Sequence, residues 1–281
     1  MLDGFIFVDK EKGVTTRSID NYFQKKFHTK KVGHLGTLDP FATGLVLIAL
    51  NKGTKALTFL NESKKTYIAR LVLGKTTSSL DNETPIIKTV PTKLFSNEEI
   101  SKAVSSLTDI KTQVPPMYSA LKVNGTPLYE LARKGEEIER KEREVTIFES
   151  RLVSYSFPYV DFLVKVSKGT YIRSLGEELA KRLNTVGYLD KLRRIEVDDF
   201  SLIKAKRKED IEEKDIVSVS NILSFLPYIE VDSKTKEDIK NGKKIKIDRE
   251  EPTLLIKFED EALAIYKKGE DGFYSSLRGL F

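Results

Sequence analysis

Apolar residues recur along this chain with two periods, and each period predicts a different element. Between residues 67 and 73 every second position is apolar (Tyr67, Ala69, Leu71, Leu73), the alternation of a strand with one buried face. Ile19, Tyr22, Phe23 and Phe27 instead share one face of a helix that Thr16 can cap. Ser96 and Glu99 form a capping box ahead of Ile100, Ala103, Val104 and Leu107. A third helix carries Ile172, Leu175, Leu179 and Leu183 on its inner face. Residues 5–8 and 45–50 are short unbroken apolar runs that predict strands, the second leading into a short helix near residues 54–60. Further strands are expected at residues 144–148, 151–155 and 160–166, after a polar segment containing Pro115 and Pro116.

Strands in clusters with helices between them predict an α+β fold on a mixed, largely antiparallel sheet flanked by helices, over residues 1–226. The charged stretch 204–214 reads as a surface loop or helix beside a boundary. Beyond Pro227 the pattern changes to short strands at 244–247, 254–258 and 262–266, with Glu259-Asp260-Glu261 turning the last two into a hairpin. Residues 227–281 therefore read as a small separate β module.

Composition narrows the chemistry. The 281 residues are 40% hydrophobic and 32% charged, which is ordinary for a soluble protein, and the net charge of +6 is only a hint of a polyanionic partner. Cysteine is absent, so disulfides, thiolate nucleophiles and Cys-based metal sites are excluded; His28 and His34 are too few for a His-rich zinc site. No stretch approaches eighteen uninterrupted apolar residues, and the start is not a basic signal peptide, so a cytoplasmic protein without membrane contact is expected.

The densest chemical signal lies in residues 33–44, Gly-His-Leu-Gly-Thr-Leu-Asp-Pro-Phe-Ala-Thr-Gly. Gly33, Gly36, Pro40 and Gly44 hold one carboxylate, Asp39, in a tight turn ahead of an apolar run. An isolated Asp-Pro of this kind would simply cap local amides; an ionised, desolvated and oriented carboxylate can instead act covalently on a sugar or base carbon. Such a group needs a cation beside it, and Arg173, in Ser167-Lys-Gly-Thr-Tyr171-Ile-Arg173-Ser, is the candidate. Taken alone, Arg173 reads as a surface arginine opening a helix with no special task, although a positive charge there gains nothing from the helix dipole. Tyr67, taken alone, is more often a plain core residue on an inward strand face, Leu192 by itself is just a core residue, and His34 has no companion ligands for a metal.

The 33–44 block and the Lys-Gly-Thr-Tyr-Ile-Arg block resemble motifs of the bacterial tRNA pseudouridine-55 synthases, the TruB family. Residues 4–13 resemble the family's opening motif, with Lys10 and Gly13 in register and Glu11 where proline is usual. The segment from Gln113 to Arg133 is similar to the family's mobile thumb, set here at residues 113–144. After the Tyr67 strand, Asp81 keeps its family place while Ser78 and Thr84 depart from the pattern. The resemblance implies a pseudouridine-synthase fold with a PUA-like tail, and isomerisation of uridine in the TΨC loop of tRNA without cofactor or metal. It implies Asp39, Tyr67 and Arg173 as catalytic residues. His34, Lys10, Asp81, Tyr171, Leu192, Lys122 and Arg133 become substrate contacts, with His34 replacing the extruded uridine in the stack. Lys122, Arg133 and Lys134, with Arg140, Lys141 and Arg143, could neutralise phosphates, although for the last three the interleaved Glu136, Glu137, Glu139, Glu142 and Glu144 also suit a solvated loop. The expected partner is tRNA, through its T-arm and the tail's hold on the acceptor stem, and the chain is expected to act as a monomer with no protein partner. A guide-RNA-dependent enzyme of the same core and a catalytically silent tRNA-folding factor are the rivals; the intact Asp39, Tyr67 and Arg173 set disfavours the second.

Overall fold

The computed structural model describes residues 2–123 and 125–281. Its centre is an eight-stranded sheet in which seven segments matter for the site. These are β1 (Gly4–Lys10), β2 (Val32–Leu35), β3 (Thr43–Leu50), β4 (Lys64–Leu73), β5 (Ile147–Ser156), β6 (Tyr159–Ser167) and β7 (Gly187–Val197). The order is β1-β3-β7-β4-β6-β5, with β2 pairing along β3. Every pair is antiparallel except β3 with β7, which run parallel through Thr43–Gly44 and Arg193–Arg194. The mixed, largely antiparallel α+β architecture is thus the one the apolar pattern predicts.

Helices α1 (Thr16–Lys26), α2 (Asn97–Ser105) and α4 (Ile172–Arg182) bury their apolar stripes on one face of the sheet, against Val46, Ile48, Ala69, Leu71, Phe162 and Val164. The opposite face of β1 and β3 is also covered, because Phe5, Phe7, Leu45 and Leu47 pack against Leu255, Ile265 and Leu280 of the tail. Burial on both faces explains why these two strands read as unbroken apolar runs. The tail forms its own five-stranded sheet from β8 (Tyr228–Glu230), β9 (Ile245–Lys246), β10 (Thr253–Phe258), β11 (Glu261–Lys268) and β12 (Phe273–Gly279). It also carries a helix, α5 (Ser233–Lys240), that the sequence reading does not contain.

Other differences are local and have causes. The side chain capping α1 is Thr15, which accepts from the Ser18 N–H, and the Thr16 hydroxyl is buried and used elsewhere. The strands expected at 144–148 and 151–155 are largely one strand, β5, whose register shifts past β6 at two points. The helix expected near residues 54–60 divides into an α-turn, Gly53–Ala56, and a 3₁₀ turn, Leu57–Phe59. Strand β7 was not predicted at all. Its register shifts between Leu189 and Lys191 and between Arg194 and Glu196, so its apolar residues Leu189, Leu192, Ile195 and Val197 lose strict alternation.

Between the helices, residues 112–144 leave the sheet as an excursion closed at its base by a ribbon, Thr112–Gln113 against Arg143–Glu144. It contains a small hairpin, Lys122–Val123 with Thr126–Pro127, and helix α3 (Leu128–Arg133).

Candidate active site

Asp39 stands in the connection between β2 and β3, and almost every backbone group around it is clamped. The Thr16 hydroxyl bonds both the N–H and the C=O of Leu38, at 3.0 and 3.1 Å. Pro40 O accepts from Gly13 N at 2.8 Å and from Lys10 Nζ at 3.1 Å, and the Ala42 N–H closes the turn onto Asp39 O at 3.1 Å. From the far side Arg194 reaches in: its Nη2 donates to Gly36 O at 2.9 Å, its Nη1 to Thr37 O at 3.4 Å and its Nε to Leu45 O at 2.8 Å. The peptide frame is fixed while the Asp39 carboxylate stays 37% exposed, the condition for a group that must meet a bound molecule.

Gly44 explains how Arg194 comes so close. Its φ is +106°, and a Cβ there would lie 2.2 Å from the Arg194 carbonyl oxygen. Only glycine permits this conformation and approach together.

Arg173, second residue of α4, is 3% exposed and divides its donors among four acceptors. Nε lies 3.0 Å from Asp39 Oδ2 and Nη1 3.2 Å from Asp81 Oδ2. Nη1 also donates to Ser79 O at 3.0 Å, and Nη2 to Tyr118 O at 2.7 Å. Asp81 is buried, and burial pushes its carboxyl above the ordinary range despite the Ser79 hydroxyl, the Arg173 cation and the Glu83 N–H that favour its charge. The neighbouring Glu83 carboxyl is raised as well, by burial first and then by Asp81 and Asp39. The two residues that depart from the family pattern close this loop together: Ser78 Oγ donates to Thr84 Oγ1 at 3.1 Å, and Thr84 Oγ1 also accepts from Ser79 N at 3.1 Å.

Tyr67 and Leu192 lie on one face of adjacent strands, since Tyr67 pairs with Arg194 and Ala69 with Leu192. Burial raises the Tyr67 phenol, and the Arg194 cation acts against that rise. Burial likewise raises the half-buried Tyr171, whose backbone is gripped by the Gln113 side chain. Lys10 is fully buried, and Glu11 O, Val14 O and Pro40 O take its ammonium hydrogens. Burial lowers it to about 8. Its place is beneath the Asp39 turn rather than on an open surface.

His34 on β2 is held at both ring nitrogens, Nδ1 2.9 Å from Asp20 Oδ2 and Nε2 3.2 Å from Thr37 Oγ1. Lys122 and Arg133 are exposed on the excursion, remote in sequence from the clamped turn, and Arg133 lies 5.5 Å from the Tyr129 ring centroid. Arg140 turns inward and donates to Pro115 O at 3.1 Å, so it braces the excursion instead of facing solvent. Sequence reasoning missed three residues of the frame: Arg194, Thr16 as a clamp, and Gln113 as more than part of a motif. Gly44, needed where a strand must approach another backbone, was the available signal for Arg194.

Among the described residues, no cluster of three or more His, Cys, Asp or Glu could hold a metal, and no helix is long and apolar enough to cross a membrane.

Comparison with known proteins gives a consistent family. Residues 24–172 match the family described as TruB family pseudouridylate synthase (N terminal domain). A tRNA pseudouridine synthase B of Clostridium kluyveri is 38% identical over 272 residues, spanning 95% of this chain and 93% of the relative. One of Mycoplasma capricolum subsp. capricolum is 36% identical over 281 residues, spanning 98% and 96%. Among solved structures, a Cbf5-Nop10-Gar1 complex contains a chain similar in fold, with a TM-score of 0.72 at 21% identity, covering 100% of this chain and 85% of the other. The clamped aspartate turn, the buried arginine and these relatives together establish that the chain belongs to the TruB family and is a pseudouridine synthase, an isomerase.

Proposed function

We propose that this chain isomerises uridine to pseudouridine at position 55, in the TΨC loop of tRNA, with Asp39 as the nucleophile. One observation carries the reading: a buried guanidinium lies 3.0 Å from a half-exposed carboxylate whose backbone is fixed on every side. The substrate class follows from the relatives' names.

In this reading the excursion at residues 113–144 docks the T-arm, with Lys122 and Arg133 against phosphates. His34, fixed by Asp20 and Thr37, fills the space left by the extruded uridine. Asp39, aimed by Arg173, attacks the nucleoside and assists cleavage of the N1–C1′ bond. The freed uracil turns against Tyr67 and Leu192, beside Tyr171 and Asp81, and its C5 bonds to C1′. One hydrogen leaves C5 and one proton returns to N1, so the atoms balance with no co-reactant. Lys10 acts from below, through Pro40. The catalytic domain is residues 1–226, and the PUA-like module, residues 227–281, adds contact to the acceptor stem. The enzyme works as a monomer without a protein partner.

The test is release of tritium from tRNA transcript labelled at uridine C5. Wild type should release label and Asp39→Asn none, and a transcript with cytidine at position 55 should yield none with either. Binding without release by wild type would leave only an RNA-folding role, and release from the cytidine transcript would refute the position.

A further inference from the structure

The catalytic arginine is placed awkwardly for a helix. It sits in the first turn of α4, where no acidic residue offsets the positive end of the dipole, and the N-cap residue Tyr171 makes no side-chain capping bond. Left alone, this helix start would fray, and Arg173 would lose its aim. A residue distant in sequence supplies the missing restraint. The Gln113 side chain forms a two-bond clasp on the Tyr171 backbone: Nε2 donates to Tyr171 O at 3.0 Å, and Oε1 accepts from Tyr171 N at 2.7 Å. Gln113 is 9% exposed, so water competes little for either bond.

A second link runs from the same segment to the guanidinium itself. Tyr118, five residues beyond Gln113, gives its carbonyl to Arg173 Nη2 at 2.7 Å. One contact therefore holds the backbone that carries Arg173 and the other holds its side chain. Both come from the base of the excursion at residues 112–144, which the ribbon Thr112–Gln113 with Arg143–Glu144 ties off.

We propose that Gln113 is a positioning residue: it locks the start of α4 so that Arg173 meets Asp39, and it makes the catalytic ion pair depend on the seating of the RNA-facing excursion. This rests on the assignment of catalysis to Asp39 and Arg173. It adds a residue that touches neither substrate nor Asp39.

Gln113→Glu keeps the shape and the bond to the Tyr171 N–H but turns a second carboxylate oxygen toward Tyr171 O. Protonation of that oxygen restores a donor. Single-turnover tritium release at saturating tRNA should fall about 30-fold at pH 8, in the range expected for misplacement near 1 Å, while the Kd for tRNA changes less than about twofold. The deficit relative to wild type should shrink at pH 6, a rescue that a general loss of stability would not give. Gln113→Asn, one methylene too short to make both bonds, should show the same fall at both pH values; it serves if Gln113→Glu does not fold, as judged by circular dichroism. An unchanged rate in either folded variant, or a loss confined to Kd, would overturn the proposal. If Asp39→Asn or Arg173→Lys retains turnover while the Gln113 variants lose it, the catalytic assignment fails instead, and Gln113 does not act through Arg173.

Discussion

The surroundings of the Asp39 turn and the C-terminal five-stranded sheet handle charge in opposite ways. Around the Asp39 turn, Lys10, Asp20, Asp81, Arg173 and Arg194 are all buried. Arg194 is satisfied there by carbonyl oxygens, without a carboxylate partner among the described residues. In the module the core is apolar apart from two tyrosine hydroxyls bonded to carbonyls, and pairs such as Lys244–Asp271 and Lys243–Asp238 lie in solvent. Burying an ion costs several kcal/mol that its partners only partly return. The protein accepts that cost around the Asp39 turn, and avoids it where a sheet need only hold together.

The sharpest way to break the contrast is Arg173→Lys. A point charge cannot reach Asp39, Asp81 and Tyr118 together, so turnover should drop about 10³-fold with tRNA binding retained. Retained turnover in tritium release would show that the planar fork is dispensable.

Glycines give the next largest contrast. Gly44→Ala would drive a Cβ into the Arg194 backbone and should lower stability by about 3 kcal/mol. Gly272→Ala in the module also has positive φ, +75°, but no atom within 4 Å, and should lose about 1 kcal/mol. Urea unfolding of the two variants measures both, and equal losses would deny that the parallel β3–β7 contact is special.

Asp81 gives a pH-dependent version. Burial raises its folded pKa above the unfolded value, so in the window above the ordinary carboxylate range the folded chain holds the extra proton. Its contribution to stability therefore declines as pH rises through that window. The stability of wild type minus that of Asp81→Asn should be larger at pH 4 than at pH 6, and the reverse order would show that the Arg173 pairing outweighs burial. The smallest effect is expected in the module, where Lys244→Ala removes an exposed pair and should leave Tm unchanged.

The parts legible in sequence were those where side-chain pattern and backbone agree. The Ser96–Glu99 capping box and the alternation through Tyr67 are both present. Asp39 and Arg173 were paired from motifs, and the structure brings them together. Strand β7 escaped because two register shifts break its period and because it carries charges that most buried strands lack. Arg194 escaped with it, since a buried arginine answered by main-chain carbonyls leaves no partner residue to look for. Helix α5 was hidden in a polar run, Ser233–Lys240, where only Ile239 is buried.

The clasp of Arg194 on Gly36 and Leu45 spans 158 and 149 positions of chain. A ribosome making this protein releases the aspartate turn long before the strand that closes it. Until β7 emerges and slots between β3 and β4, the Asp39 turn lacks the guanidinium that fixes its backbone, so the frame around that carboxylate closes late in synthesis and in one step.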